Sequence, residues 1–190
     1  MSKDLMYSDE VQELVVDAYR ALGAPGGPGR RFYTEEQLAT MPEQAREWAL
    51  GVGNPLAVAD LAAGEVVVDL GCGAGLDTLL AASQVSPGGR AVGVDFLPEM
   101  VERGRSAAEG AGVGNVEFLE GAMEAVPLAD ASADVVISNG AINLSARKSR
   151  VLAEAHRVLR PGGRLCVADL TIRDEELPAE ILTHPAAWAG

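Results

Sequence analysis

From Gly64 onward the chain alternates short apolar runs with longer stretches in which apolar residues recur every three or four positions. The runs are VVVDL (66–70), RAVGV (90–94), VEFLE (116–120), DVVIS (134–138) and RLCVADL (164–170). The first and fourth show no polar alternation, as expected of strands covered on both faces of a parallel sheet. Helical stretches fill the intervals, so the pattern predicts an α/β fold with a doubly wound, mostly parallel sheet. In such sheets ligands bind beyond the carboxyl ends of the strands.

Before Gly64 the periodicity is helical. Val11, Leu14, Val15, Ala18, Tyr19 and Leu22 share one face behind a Ser8 cap, and Gly23 ends the pattern. The segment APGGPGRR (24–31) reads as a flexible connection or mobile loop, neither helix nor interior strand. Thr34 with Gln37 forms a capping box, and Asn54-Pro55 places a cap residue before a first-turn proline. Three regions follow: an N-terminal helical lid (1–63), a ligand-binding core (64–170) and an acidic tail (171–190). The tail carries Pro178 and Pro185 and reads as a loop plus one short helix. Strand five, with Leu165, Val167 and Leu170, is then left as an apolar edge, a liability unless something covers it. A homodimer or partner chain is the favoured cover, over the tail or the N-terminal helix.

Composition narrows the field of partners. The 190 residues suit one domain, and 15 Lys+Arg against 28 Asp+Glu give a net charge of −13. Phosphate backbones and anionic lipid surfaces would repel such a chain, so nucleic acid and membrane partners are disfavoured. No apolar stretch resembles a signal peptide, which points to the cytoplasm. Cys72 and Cys166 are too few for a disulfide framework or a metal knuckle, and no metal site is expected.

The candidate chemistry sits after the first strand. Gly71, Gly73 and Gly75 let the backbone turn sharply and approach a ligand without Cβ atoms in the way. A plain strand-to-helix turn would use the same residues. Asp95, however, ends the second strand 20 residues beyond Gly75, where a carboxylate grips both ribose hydroxyls of a nucleoside. Charge selects among nucleosides. Asp69 before the glycines and Asp77 after them would repel a pyrophosphate, and Leu76 stands where the dinucleotide fingerprint wants Gly or Ala. An NAD-dependent oxidoreductase therefore fits poorly. S-adenosylmethionine fits better, because it has no phosphate and its ammonium and sulfonium are drawn to Asp69.

Taken together, VVDLGCGAG, VGVDFLPEM, VEFLEGAMEAVPLADASADVVISN and RVLRPGGRL resemble the motifs of class I S-adenosylmethionine-dependent methyltransferases over residues 64–170. ALGVGNP (49–55), ISNGAINLS (137–145) and ADLTIRDEELPAEI most resemble the arsenite methyltransferase branch. The resemblance implies that Gly71, Cys72, Gly73 and Gly75 line the methionine half of the cofactor with Asp69 and Asp77. It gives the ribose to Asp95, the adenine walls to Phe96 and Met100, the adenine edge to Ala122 and Met123, and the methionine end to the backbone or side chain of Asn139. It also implies a final antiparallel strand pair, for which the residues after Leu170 do not look suited.

Two departures bear on chemistry. Ala122 stands where the family often has an acid, so its side chain cannot accept from the adenine amino group. The resemblance also leads one to expect arsenic-binding cysteines, but Val52 and Gly140 occupy two of their positions, and soft trivalent arsenic needs thiolates. His156 reads as a helix-surface residue and His184 has no evident partner. Tyr19 and Tyr33 are better placed to face a substrate, while Trp48 and Trp188 read as packing residues of lid and tail. The expected function is methyl transfer from S-adenosylmethionine to a small-molecule acceptor, not arsenite. The alternative is a non-catalytic methyltransferase-like binding or scaffold subunit.

Overall fold

The computed structural model describes residues 16–17 and 26–171. The helix read from Val11, most of the acidic tail, Tyr19, His184 and Trp188 lie outside the described residues.

Five strands form one sheet: β1 (Val66–Leu70), β2 (Arg90–Asp95), β3 (Val116–Glu120), β4 (Ala133–Asn139) and β5 (Leu159–Ala168). Their order is β3-β2-β1-β4-β5, and every pairing is parallel. The order reverses between β1 and β4, which places a crevice beyond the end of β1. In β1, Val67, Val68 and Leu70 are fully buried, with the two faces of the strand feeding different core clusters. Each such side chain contributes about 1.5–3 kcal/mol by leaving water.

One face of the sheet is covered by helix α4 (Leu76–Gln84) and helix α5 (Pro98–Ala111), together with the short N-terminal helices α1 (Glu35–Ala39), α2 (Glu43–Glu47) and α3 (Leu56–Ala59). α4 is buried from Leu76 to Ala82. The other face is covered by helix α6 (Lys148–Val158), which contributes Val151, Ala155 and Val158.

Some details depart from the sequence reading and others agree with it. Pro28–Phe32 is a 3-10 helix rather than a free connection. Proline suits its first turn, and Gly29 N donates to Ala49 O at 2.8 Å, tying the turn down. The capping box is present, with Gln37 N donating to Thr34 Oγ1 and Thr34 N to Gln37 Oε1. α3 begins after Pro55, and Asn54 Oδ1 accepts from Ala57 N at 3.2 Å. No helix fills the interval between β3 and β4. There the loop takes its hydrogen bonds from α6: Val126 N donates to Glu154, and Arg157 donates to the carbonyls of Val126 and Leu128. The RPGG turn is absorbed into β5 as an irregularity, the register stepping from Ala133↔Leu159 to Val135↔Arg164. β5 pairs only with β4, and Leu165 and Val167 stay exposed among the described residues.

Candidate active site

A cleft of about 1060 Å³, counting its open mouth, lies beyond the carboxyl ends of β1, β2 and β4. All the site residues singled out from the sequence line it: Asp69, Gly71, Cys72, Gly73, Gly75, Asp77, Asp95, Phe96, Met100, Ala122, Met123 and Asn139. Tyr33 and a strap of chain comprising Trp48, Ala49, Leu50 and Gly51 line it as well.

The glycine loop is fixed by the sheet. Gly71 N and Cys72 N both donate to Val94 O, at 2.8 and 3.1 Å. Gly73 adopts φ +52°, and a Cβ there would meet only open space. The loop thus presents bare backbone to the cleft. Asp95 sits beside it, accepting from Gly73 N at 2.9 Å and from Leu97 N at 3.0 Å. Two amides fix the carboxylate in place and leave lone pairs on both oxygens.

Asp69, next to the last residue of β1, lies on the α4 face and accepts from the Thr78 hydroxyl at 2.7 Å. Asp77, in the first turn of α4, accepts from the Tyr33 hydroxyl at 2.6 Å and from Asn139 Nδ2 at 3.0 Å. Burial raises the pKa of Asp69, Asp77 and Asp95 above the ordinary carboxylate value, and the charge of Asp77 adds to the rise at Asp69. Burial likewise pushes up the Tyr33 phenol and the Cys72 thiol. Cys72 is therefore a protonated packing residue rather than a nucleophile. Such a cluster of buried carboxylates gains most from a cation placed among them. Among the described residues lining the cleft there is no Lys, Arg or His.

Of the two groups of Asn139 expected at the methionine end, the side chain is taken up within the protein. Its Oδ1 accepts from Val52 N at 2.9 Å and Gly53 N at 3.1 Å, while Nδ2 donates to Gly53 O, Tyr33 Oη and Asp77. The side chain is spent on holding the strap and Asp77, leaving only its backbone for a ligand. Gly51 is required next to it, because a Cβ at Gly51 would overlap the Asn139 side chain. Sequence reasoning missed Thr78, Leu50, Gly51 and the Glu124–Ser145 hydrogen bond at the cleft wall. The only signal for the strap was the pair of glycines in ALGVGNP. Val52 and Gly140 prove to be neighbours: a Cβ on Gly140 would lie 3.4 Å from Val52 Cγ1. His156 is exposed on α6, away from the cleft.

A five-stranded parallel sheet with a glycine loop at its switch point and an acid ending β2 defines a Rossmann-like fold with its cleft at the ligand-binding end of the sheet. The chain matches the methyltransferase domain family over residues 61–189 and belongs to it. It is 41% identical over 164 residues to an arsenite methyltransferase of Halobacterium salinarum, covering 86% of this chain and 41% of that protein. It is 35% identical over 121 residues to a ubiquinone/menaquinone biosynthesis C-methyltransferase of a Marinomonas species, covering 63% of this chain and 48% of that one. Among solved structures, an arsenic(III) S-adenosylmethionine methyltransferase from Chlamydomonas reinhardtii superposes with TM-score 0.69 at 38% identity, covering 84% of this chain and 54% of that one. The chain thus spans about half the length, or less, of the relatives it matches. Its fold is that of the class I methyltransferases, and its sequence is similar to the arsenite enzymes among them. No helix of the described residues is long and apolar enough to cross a membrane.

Proposed function

We propose that this cleft binds S-adenosylmethionine and that the protein transfers its methyl group to a small, uncharged or cationic acceptor other than arsenite. The observation that carries the reading is the convergence of bare backbone at Gly73, the amide-held carboxylate of Asp95 and the buried acids Asp69 and Asp77 on one cleft. These residues fit the cofactor: Asp95 has lone pairs free for two hydroxyls, Phe96 and Met100 offer apolar walls, and the acids await a cation. The cofactor supplies an activated methyl on a sulfonium whose departure leaves a neutral thioether.

The chain's own part is to bind, orient and dry the site. Asp69 and Asp77 hold positive charge on the methionine side, and Asn139 and Tyr33 hold Asp77. Leu50, Ala141 and Leu144 present apolar surface toward the acceptor. Orientation and exclusion of water carry such a transfer without a dedicated base. A cleft lined by Asp69, Asp77, Asp95 and Glu124, with no Lys, Arg or His among the described residues that line it, disfavours an acceptor bearing carboxylate or phosphate.

The relatives' names include arsenite, but in this chain an aliphatic side chain faces a glycine at Val52 and Gly140, and both cysteines are buried. That leaves no exposed thiolate pair for As(III). The second reading, a non-catalytic binding subunit, rests on Ala122, whose methyl lines the adenine side and accepts no hydrogen bond. Calorimetric titration with S-adenosylhomocysteine, followed by assays with labelled cofactor, separates the two. We expect saturable binding, transfer to a neutral or cationic acceptor, and no methylated arsenicals above a boiled-enzyme control. Absence of nucleoside binding would overturn the reading, and turnover of arsenite would overturn its acceptor.

A further inference from the structure

The strap lines the cleft between two anchors. At one end, Val52 and Gly53 are held by the half-buried Asn139 amide, which also grips Tyr33 and Asp77. At the other end Trp48, which caps α2, lays its ring 4.0 Å from the Arg103 guanidinium carbon on α5. The backbone at this end is tied by Trp48 N donating to Gln44 O at 3.3 Å and by Gly29 N donating to Ala49 O at 2.8 Å. The indole ring itself rests on the cation–π contact, and the Nε of Arg103 is buried there with no hydrogen-bond partner, which offsets part of what the ring contact gains.

Its place matters. Arg103 stands one helical turn beyond Met100, and Met100 lines the cleft on the same helix that begins just after Asp95. Trp48 also lines the cleft. Trp48 therefore stands on the side of the cleft that α5 and Met100 bound, and Asn139 on the side bounded by Asp77.

We propose that Trp48 is a positioning residue that closes over the adenosine half of the bound cofactor, with Arg103 as the latch that holds its ring there. The inference rests on S-adenosylmethionine binding in this cleft. The ring moves while backbone bonds and Asn139 keep the strap attached, and base stacking on the indole face favours the closed arrangement.

The test uses the full chain carrying Trp188→Phe, because the sequence has only two tryptophans. S-adenosylhomocysteine should change Trp48 emission saturably, with the affinity that calorimetry gives for the same protein. Trp48→Ala should weaken S-adenosylhomocysteine and plain adenosine alike, by at least about fivefold, the scale of lost base stacking. Trp48→Phe should recover most of that loss. Arg103→Met, which keeps the stem and removes the charge, should weaken both by about two- to fivefold. If S-adenosylhomocysteine binds but Trp48 emission and the Trp48→Ala affinity stay unchanged, the latch is overturned and the cofactor reading survives. A Trp48→Ala loss confined to S-adenosylhomocysteine and spared for adenosine also overturns it, since the effect then belongs to the methionine side. If wild-type protein binds neither probe, both the cofactor reading and the latch fall.

Discussion

Replacing Asn139 with Asp changes one group, turning an amide that donates into a carboxylate oxygen that only accepts. Oδ1 keeps its bonds from Val52 N and Gly53 N. The other oxygen then faces Asp77 Oδ2 at about the 3.0 Å now spanned by a hydrogen bond, and Gly53 O at about 2.8 Å. Two unit charges at that separation repel by roughly 5–6 kcal/mol at an effective dielectric of 20. The pair escapes most of this by sharing one proton. Keeping an ordinary carboxyl protonated at pH 7 costs about 4 kcal/mol, at 1.36 kcal/mol per pH unit. Burial already raises Asp77, so the expected loss is about 3–4 kcal/mol at pH 8, falling to about 1–2 at pH 5 as protonation becomes easier. Urea unfolding followed by far-UV circular dichroism at both pH values reads this directly. Adding Asp77→Asn restores a donor between the two side chains and should recover about half of the deficit. An Asn139→Asp protein within about 1 kcal/mol of wild type at pH 8, or with a deficit equal at pH 5 and pH 8, would refute the assigned network.

Asp95→Ala should lower S-adenosylhomocysteine affinity by about 2–3 kcal/mol, the scale of charged hydrogen bonds to two hydroxyls, and unchanged calorimetric affinity would remove Asp95 from the site. Because Asp69, Asp77 and Asp95 have pKa values raised by burial, they lower the stability of the empty protein as pH rises from the ordinary carboxylate value of 3.8 through their folded values. A cationic cofactor pulls those values down, so its binding should release protons and tighten with pH across that window; titrations in buffers of different ionisation enthalpy measure the release, and uptake would contradict it. At the outer edge of β5, Leu165 and Val167 are exposed, and we expect a second copy or a partner chain to pair there. Sedimentation equilibrium should show association at micromolar concentrations with slow amide exchange over residues 164–168 in the associated form, whereas a strict monomer with equally slow exchange would count against it.

The strands and the glycine loop were legible because their causes are local. A run such as VVVDL is apolar on both faces, and only a sheet covered on both sides buries it. The acid ending β2 falls at a fixed spacing from the loop, so Asp95 and Gly73 could be paired before their hydrogen bond was seen. The 3-10 turn at Pro28–Phe32 was not legible, because glycine and proline remove local preferences and the segment is ordered by a carbonyl on Ala49, 20 residues away. Nor was the loop between β3 and β4, whose bonds come from Glu154 and Arg157 on a later helix. The partners of the Asn139 side chain were not legible either. An asparagine at a strand end looks the same in sequence whether its amide faces a ligand or a strap 86 residues earlier in the chain. The sequence could supply the chemical groups, since spacing along one strand or one turn sets them. Which of those groups remain free for a ligand depends on what other parts of the chain take up their hydrogen bonds, and only the tertiary structure decides that.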